Sequence, residues 1–319
     1  MPQNPSMSDE QWRWFQLYCK ADTLSLSEIE SVEEQLRANT ADMDLRVQLF
    51  AYYWKKVLRN SQHESAEHRL FEHVLWMIDN RPEVRNFGGP LSSTANHLTP
   101  KRFTIARQAW LEQVRKHPAN GDIIGNAGAF IVWVDFETGA ELTERAYALQ
   151  PSAGWLRGHV HHCNFQIWTS PHLYKNKWRE KVINVGVRSL QTEPNGAPFY
   201  TYQYVADAAL SLGRYDLVKV CAQVLHDWDY PSTKQQAKVY TSLLALREGD
   251  RRPALETLSE VKQFHLCPDL VFRVASELFK LGERKSIVEF INNLKGRTRK
   301  SSRERWLQQI ANNQAPDFN

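Results

Sequence analysis

The 319 residues carry 40 Lys and Arg against 36 Asp and Glu, a net charge of +4 that is too mild to argue for nucleic acid or an anionic membrane by itself. Hydrophobic residues make up 42% and charged residues 24%, the usage of an ordinary folded chain, which excludes bulk disorder. The longest apolar run, Ala129 to Val134, is far too short to span a bilayer, and Cys19, Cys163, Cys221 and Cys267 form no CxxC pair, so a soluble cytoplasmic protein in a reducing compartment is expected.

In chain order, residues 1–7 read as a disordered start, and MPQNPSMSDEQWRW has no basic-then-apolar signal pattern. Ser8-Asp9-Glu10 opens a helix carrying Trp12, Phe15 and Cys19. A second helix from Ser27 has Ile29, Val32 and Leu36 at helical spacing, and a third carries Leu45, Leu49, Tyr52 and Tyr53. Leu70, Val74, Leu75 and Ile78 stripe a helix over 64–80 that ends at Asn80-Arg81-Pro82. Residues 86–100, NFGGPLSSTANHLTP, lack periodicity and read as the longest loop. Thr99 as cap and Pro100 at the first helical position then start a helix through Trp110 to Lys116. Gly121 to Pro151 reads as two short helices with small residues where they touch, Ala127 beside Phe130 on the first and Gly139 and Ala146 on the second. A helix from Trp155 is interrupted at Thr169-Ser170-Pro171, and another surrounds Trp178 to Leu190. The last third repeats the turns LGRYDLV, REGDRRPAL and LGERKSI.

Two markers share one period. Gly213, Gly249 and Gly282 are 36 and then 33 residues apart, as are Pro82, Pro118 and Pro151. A helical hairpin cannot bury its own apolar face, so a repeated hairpin implies a stacked array. These hairpins resemble tetratricopeptide repeats, helix-turn-helix units of about 34 residues. In the unit from Asn120, Ala127, Phe130 and Ala146 fall on the family's small, large and small positions, with Gly139 where alanine is usual. In the units from Phe199, Gln235 and Pro268, Ala206, Ser242 and Ala275 take the small position of the first helix. Val218, Ala254 and Ile287 fall where the second helix prefers alanine, and only Ala254 matches. The resemblance implies an all-α, right-handed α-α superhelix of seven or eight hairpins. Residues 8–98 would form N-terminal hairpins, 99–295 the tetratricopeptide-like array, and 296–319 a basic end-cap and tail.

Candidate chemical sites are few. His63-Glu64-Ser65-Ala66-Glu67-His68 resembles a zinc-protease helix, but a spacing of five turns the two histidines about 140° apart. His159 and Cys163 share a helical face beside His161 and His162, and a helical enzyme with a metal here, with His172 as a further ligand, is the rival reading. The stretch KGRTRKSSRERW, 295–306, has Lys295, Arg297, Arg299, Lys300, Arg303 and Arg305 against Glu304 alone. A nucleic-acid binder using it is a second rival, weakened because Trp306 is its only aromatic. No phosphate-binding loop, nucleophile elbow or EF-hand appears, so neither catalysis nor a cofactor is expected.

In the family, the first helix of each unit lines a concave peptide groove. The resemblance places groove positions on Tyr200, Gln203, Tyr204 and Asp207, then on Gln236, Val239, Tyr240 and Arg247, then on Phe272, Arg273 and Ser276. This mixture departs from the Lys and Asn set that clamps a terminal carboxylate. The same positions in the Gly121 hairpin, Gly121, Ile124, Gly128, Ile131 and Val132, are small or apolar and suit tight packing. The expectation is a non-enzymatic protein-protein interaction module whose partner is a protein or peptide, neither a membrane nor a nucleic acid.

Overall fold

Apolar residues at helical spacing become helices throughout the computed structural model, which describes residues 8–59, 64–84, 93–192, 199–260, 268–294 and 298–318. Among them are sixteen α-helices and no strand. The chain divides into two compact units, 1–162 and 163–319. The disordered start expected at 1–7 and His63 lie outside the described residues.

The first unit holds α1 (Asp9–Lys20), α2 (Leu26–Ala38), α3 (Met43–Arg59), α4 (Glu64–Asn80), α5 (Pro100–Lys116), α6 (Gly121–Ile131) and α7 (Phe136–Leu149), and the start of α8 (Ala153–Thr169). From α3 onward through α7, each helix packs on the one before it, and α3 also packs on α1. Helix α2 begins one residue before the expected Ser27, because Ser25 and Glu28 close a capping box: the Ser25 hydroxyl accepts from the Glu28 N–H at 3.3 Å, and the Ser25 N–H donates to the Glu28 carboxylate at 2.7 Å. Thr99 does precede α5, but its hydroxyl makes no cap. Its N–H donates instead to Glu67 on α4 at 2.9 Å. Of the expected loop, 86–92 lie outside the described residues, and Thr94–His97 forms a short 3₁₀ helix. The described residues between Pro82 and Pro118 hold one α-helix, α5.

The Gly121 hairpin shows how small residues set the packing. A Cβ on Gly128 would lie 2.9 Å from the Gly139 carbonyl, one on Gly139 would overlap the Val132 backbone, and one on Gly125 would lie 2.5 Å from the Trp155 ring. The two backbones approach until only hydrogen atoms fit between them. Arg107 on α5 fixes the turn, donating to Asp135 at 2.8 and 3.1 Å, while Asp135 caps α7 through the Thr138 N–H.

A buried arginine anchors the α3–α4 pair. Arg46 lies 3.7 Å over the Trp76 ring, donates to the Thr40 carbonyl at 2.6 Å and to His73 Nδ1 at 3.3 Å. His73 can accept that bond only while neutral. Burial, and then the charges of Arg46 and Arg69, push its pKa down to about 3.

The second unit continues from α8 through α9 (Lys175–Thr192), α10 (Phe199–Ser211), α11 (Tyr215–Asp227), α12 (Pro231–Arg247), α13 (Arg252–Ser259), α14 (Pro268–Lys280), α15 (Arg284–Asn293) and α16 (Lys300–Ala311). Gly213, Gly249 and Gly282 end α10, α12 and α14 with φ of +74°, +88° and +88°, a conformation that L side chains adopt at a cost. Each makes the same turn. The residue after each glycine sends its N–H back five residues: Arg214 to Ala209 at 2.8 Å, Asp250 to Ala245 at 3.0 Å, and Glu283 to Leu278 at 3.0 Å. Ala206, Ser242 and Ala275 are fully buried on the first helices, as are Val218, Ala254 and Ile287 on the second. Ser242 is tolerated there because its hydroxyl meets the Thr257 hydroxyl at 2.7 Å and the Pro253 carbonyl at 3.0 Å. Helix α12 packs on α11, α13 and α14, and α13 in turn packs on α14 and α15, so consecutive hairpins cover one another.

The packing makes two stability tests possible. Gly139→Ala should destabilise by about 1–3 kcal/mol through overpacking, whereas Gly158→Ala in α8, whose Cβ would meet nothing within 4 Å, should stabilise by about 0.5–1 kcal/mol; denaturant melts of both variants decide it. Because the folded chain holds His73 neutral, protons bind the unfolded chain more readily. Stability should therefore be full above pH 6.5 and fall as pH drops toward 3, at up to about 1.4 kcal/mol per pH unit for this group. His73→Gln should flatten that slope, and an unchanged slope would exclude His73 as its source.

Candidate functional site

The residues expected to line a groove fall on three first helices: Tyr200, Gln203, Tyr204 and Asp207 on α10, Gln236, Tyr240 and Arg247 on α12, and Phe272 and Arg273 on α14. The structure sorts them into three groups.

The first group is a polar network joining α10 to α12. The fully buried Tyr240 hydroxyl donates to the Asp207 carboxylate at 2.6 Å and accepts from Gln236 Nε2 at 3.3 Å, while Gln203 Nε2 donates to Gln236 Oε1. Tyr240 and Gln236 are buried, so their ordering of Asp207 and Gln203 is the part they can play in any surface. Beside them the half-buried Tyr200 and Tyr204 rings lie 5.8 Å apart. Burial, followed by the Tyr200 and Asp207 charges, raises the Tyr204 phenol pKa, so it stays a hydrogen-bond donor at neutral pH.

The second group is cationic. The exposed Arg247 guanidinium lies 3.6 Å over the Tyr215 ring, and the exposed Arg273 approaches the Leu210 carbonyl at 3.5 Å. Both border a depression of about 240 Å³ whose other walls include Leu243, Leu246 and Lys280. Tyr215 and Lys280 were not among the expected site residues. Tyr215 follows the repeat turn and opens a second helix, α11, whereas the expected positions lie on first helices.

Phe272 stands apart. Its ring stacks on Phe318 at 4.7 Å and 6°, with Trp306 at 5.4 Å, so the C-terminal segment covers it. The same fold-back reaches Arg305 of the basic stretch. Arg305 donates to the Asp317 carbonyl at 3.2 Å and Arg303 to the Thr298 carbonyl at 3.0 Å, while Lys295 and Arg297 lie outside the described residues.

In the histidine cluster of α8, His159 and His162 are buried and His161 is exposed. His162 is fully buried and stacks on Phe136 at 5.0 Å, and its pKa is lowered to about 4 by burial first and then by the His159 and His161 charges. His159 is buried 3.6 Å from the Glu144 carboxylate, and His172 is exposed. Among the described residues no three or more His, Cys, Asp or Glu side chains are grouped to hold a metal ion. No described helix is long and apolar enough to cross a membrane. A further exposed apolar set, Trp168, Leu173 and Tyr174, escaped sequence reasoning because the Thr169-Ser170-Pro171 break leaves it no periodicity.

No family model matches the chain, and no curated protein matches it.

Tyr240→Phe keeps the ring and removes a donor that reaches Asp207 across the α10–α12 contact. It should cost about 1–3 kcal/mol in a denaturant melt, and a cost near zero would show that the network carries no stability.

Proposed function

We infer that the chain is a non-enzymatic interaction module that binds a protein or peptide in the concave groove of a tetratricopeptide-like, right-handed superhelix of seven or eight hairpins, in the cytoplasm. One observation carries this reading. Three successive hairpins closed by the same glycine turn set Tyr200, Tyr204, Arg247 and Arg273 on their first helices, α10, α12 and α14. Aromatic and arginine side chains on a regular helical scaffold supply contact area and hydrogen-bond donors with little ordering of backbone on binding. The buried Tyr240 network beneath them holds Asp207 and Gln203 in one arrangement, which further lowers that cost.

Full-length protein with Tyr200→Ala and Tyr204→Ala, and a second variant with Arg273→Glu, should each lose at least tenfold of the partner captured by wild type in a quantitative pull-down, with the melting temperature showing that the fold persists. A variant with Trp168→Ala and Leu173→Ala should retain the partner. Loss confined to that last variant would place recognition on α8 and its following turn instead.

A further inference from the structure

We propose that the depression bordered by Arg247 and Arg273 receives the side-chain carboxylate of an acidic residue that stands next to an apolar residue in a partner peptide. This rests on the peptide-groove reading and adds to it the chemistry of the ligand.

The charges are unbalanced in one place. Arg247, Arg273 and Lys280 border the depression against a single carboxylate, Glu277. Lys280 already donates to Glu277 at 2.8 Å, so that pair is neutral together. Among the described residues neither arginine has an ion-pair partner, which leaves two uncompensated guanidiniums on one small surface. Arg273 also presses electrostatically on Arg179, whose pKa is lowered by burial first and by that neighbouring charge second. Repulsion among them is relieved by an anion placed between them.

The geometry leaves their donors available. Arg247 offers its flat face to the Tyr215 ring at 3.6 Å, and stacking of this kind leaves the in-plane N–H groups directed outward. Arg273 has a single contact, at the outer limit of a hydrogen bond, with the Leu210 carbonyl. Both can therefore turn two parallel donors onto a carboxylate. Leu246 and Leu243 form an apolar wall beside them, which fits a neighbouring aliphatic or aromatic side chain. At about 240 Å³ the space falls below the usual range for a drug-sized molecule and suits one or two peptide side chains. A nucleic acid would ask for a longer track of cations and a stacking surface without leucine walls.

An array of decapeptides, each with a different pair of residues at the centre of a Gly-Ser background, tests the proposal with the full-length protein. Wild type should enrich pairs joining Asp or Glu to a large apolar residue, with a signal that falls as sodium chloride rises. The double change Arg247→Gln and Arg273→Gln should lower that signal at least tenfold. Arg273→Gln alone, which disturbs no ring stacking, should lower it several-fold and preserves the test if the double variant melts early. The proposal is overturned if no pair is enriched, if the enriched pairs lack an acidic residue, or if the acidic preference survives both variants. Tyr200→Ala with Tyr204→Ala separates it from the broader reading. Enrichment without acidic preference that falls in the tyrosine variant keeps the groove and removes the acidic pocket. Acidic enrichment untouched by the tyrosine variant keeps the pocket and removes the groove.

Discussion

Close approach at helix crossings is the constraint on which the rest of this structure depends. At the crossing where Gly128 meets Gly139 both partners are glycine, and the fully buried first-helix positions Ala206, Ser242 and Ala275 are small as well. Such crossings bring backbones together and extend dispersion contacts along both helices. They also leave one side of each helix unsatisfied. The remaining side is covered by neighbouring hairpins, as α12, paired with α13, is covered by α11 of the one before and α14 of the one after. Stability in such an array is a sum of local units and nearest-neighbour contacts, and the glycine turns make those units alike.

A stack of this kind handles polar groups where helices of successive hairpins meet. Tyr240, Gln236, Gln203 and Asp207 satisfy one another between α10 and α12, and Arg46 finds Thr40, His73 and Trp76 between α3 and α4. Both groups are costly to leave half-satisfied. The cations bordering α12 and α14 are left differently: Lys280 is paired, Arg247 is stacked but unpaired, and Arg273 has one long contact.

Much of the architecture is legible from residues alone, for identifiable reasons. The spacing of Gly213, Gly249 and Gly282 marks three equivalent left-handed turns because the turn requires positive φ, which a glycine meets most cheaply. Small residues mark crossings for the same steric reason. A proline reports only that one helix has ended and is silent about the next element. The capping box at Ser25 and Glu28 was readable and fixes α2 one residue earlier than its apolar pattern does. The surface was harder. Helical position alone cannot tell that Tyr240 turns inward to Asp207 or that Phe318, 46 residues further on, returns to cover Phe272, since both depend on contacts distant in sequence. Arg247 and Arg273 were identifiable by position, but Tyr215, which orients the first, lies on a second helix.

Amide hydrogen exchange on the full chain with and without its captured partner tests the central claim most directly, since it reads the contact surface without altering a residue. The account expects slowed exchange along α10, α12 and α14, strongest near Tyr204 and Arg273, with α11, α13 and α15 unchanged. Protection confined to those second helices, or to residues 165–174, would contradict it.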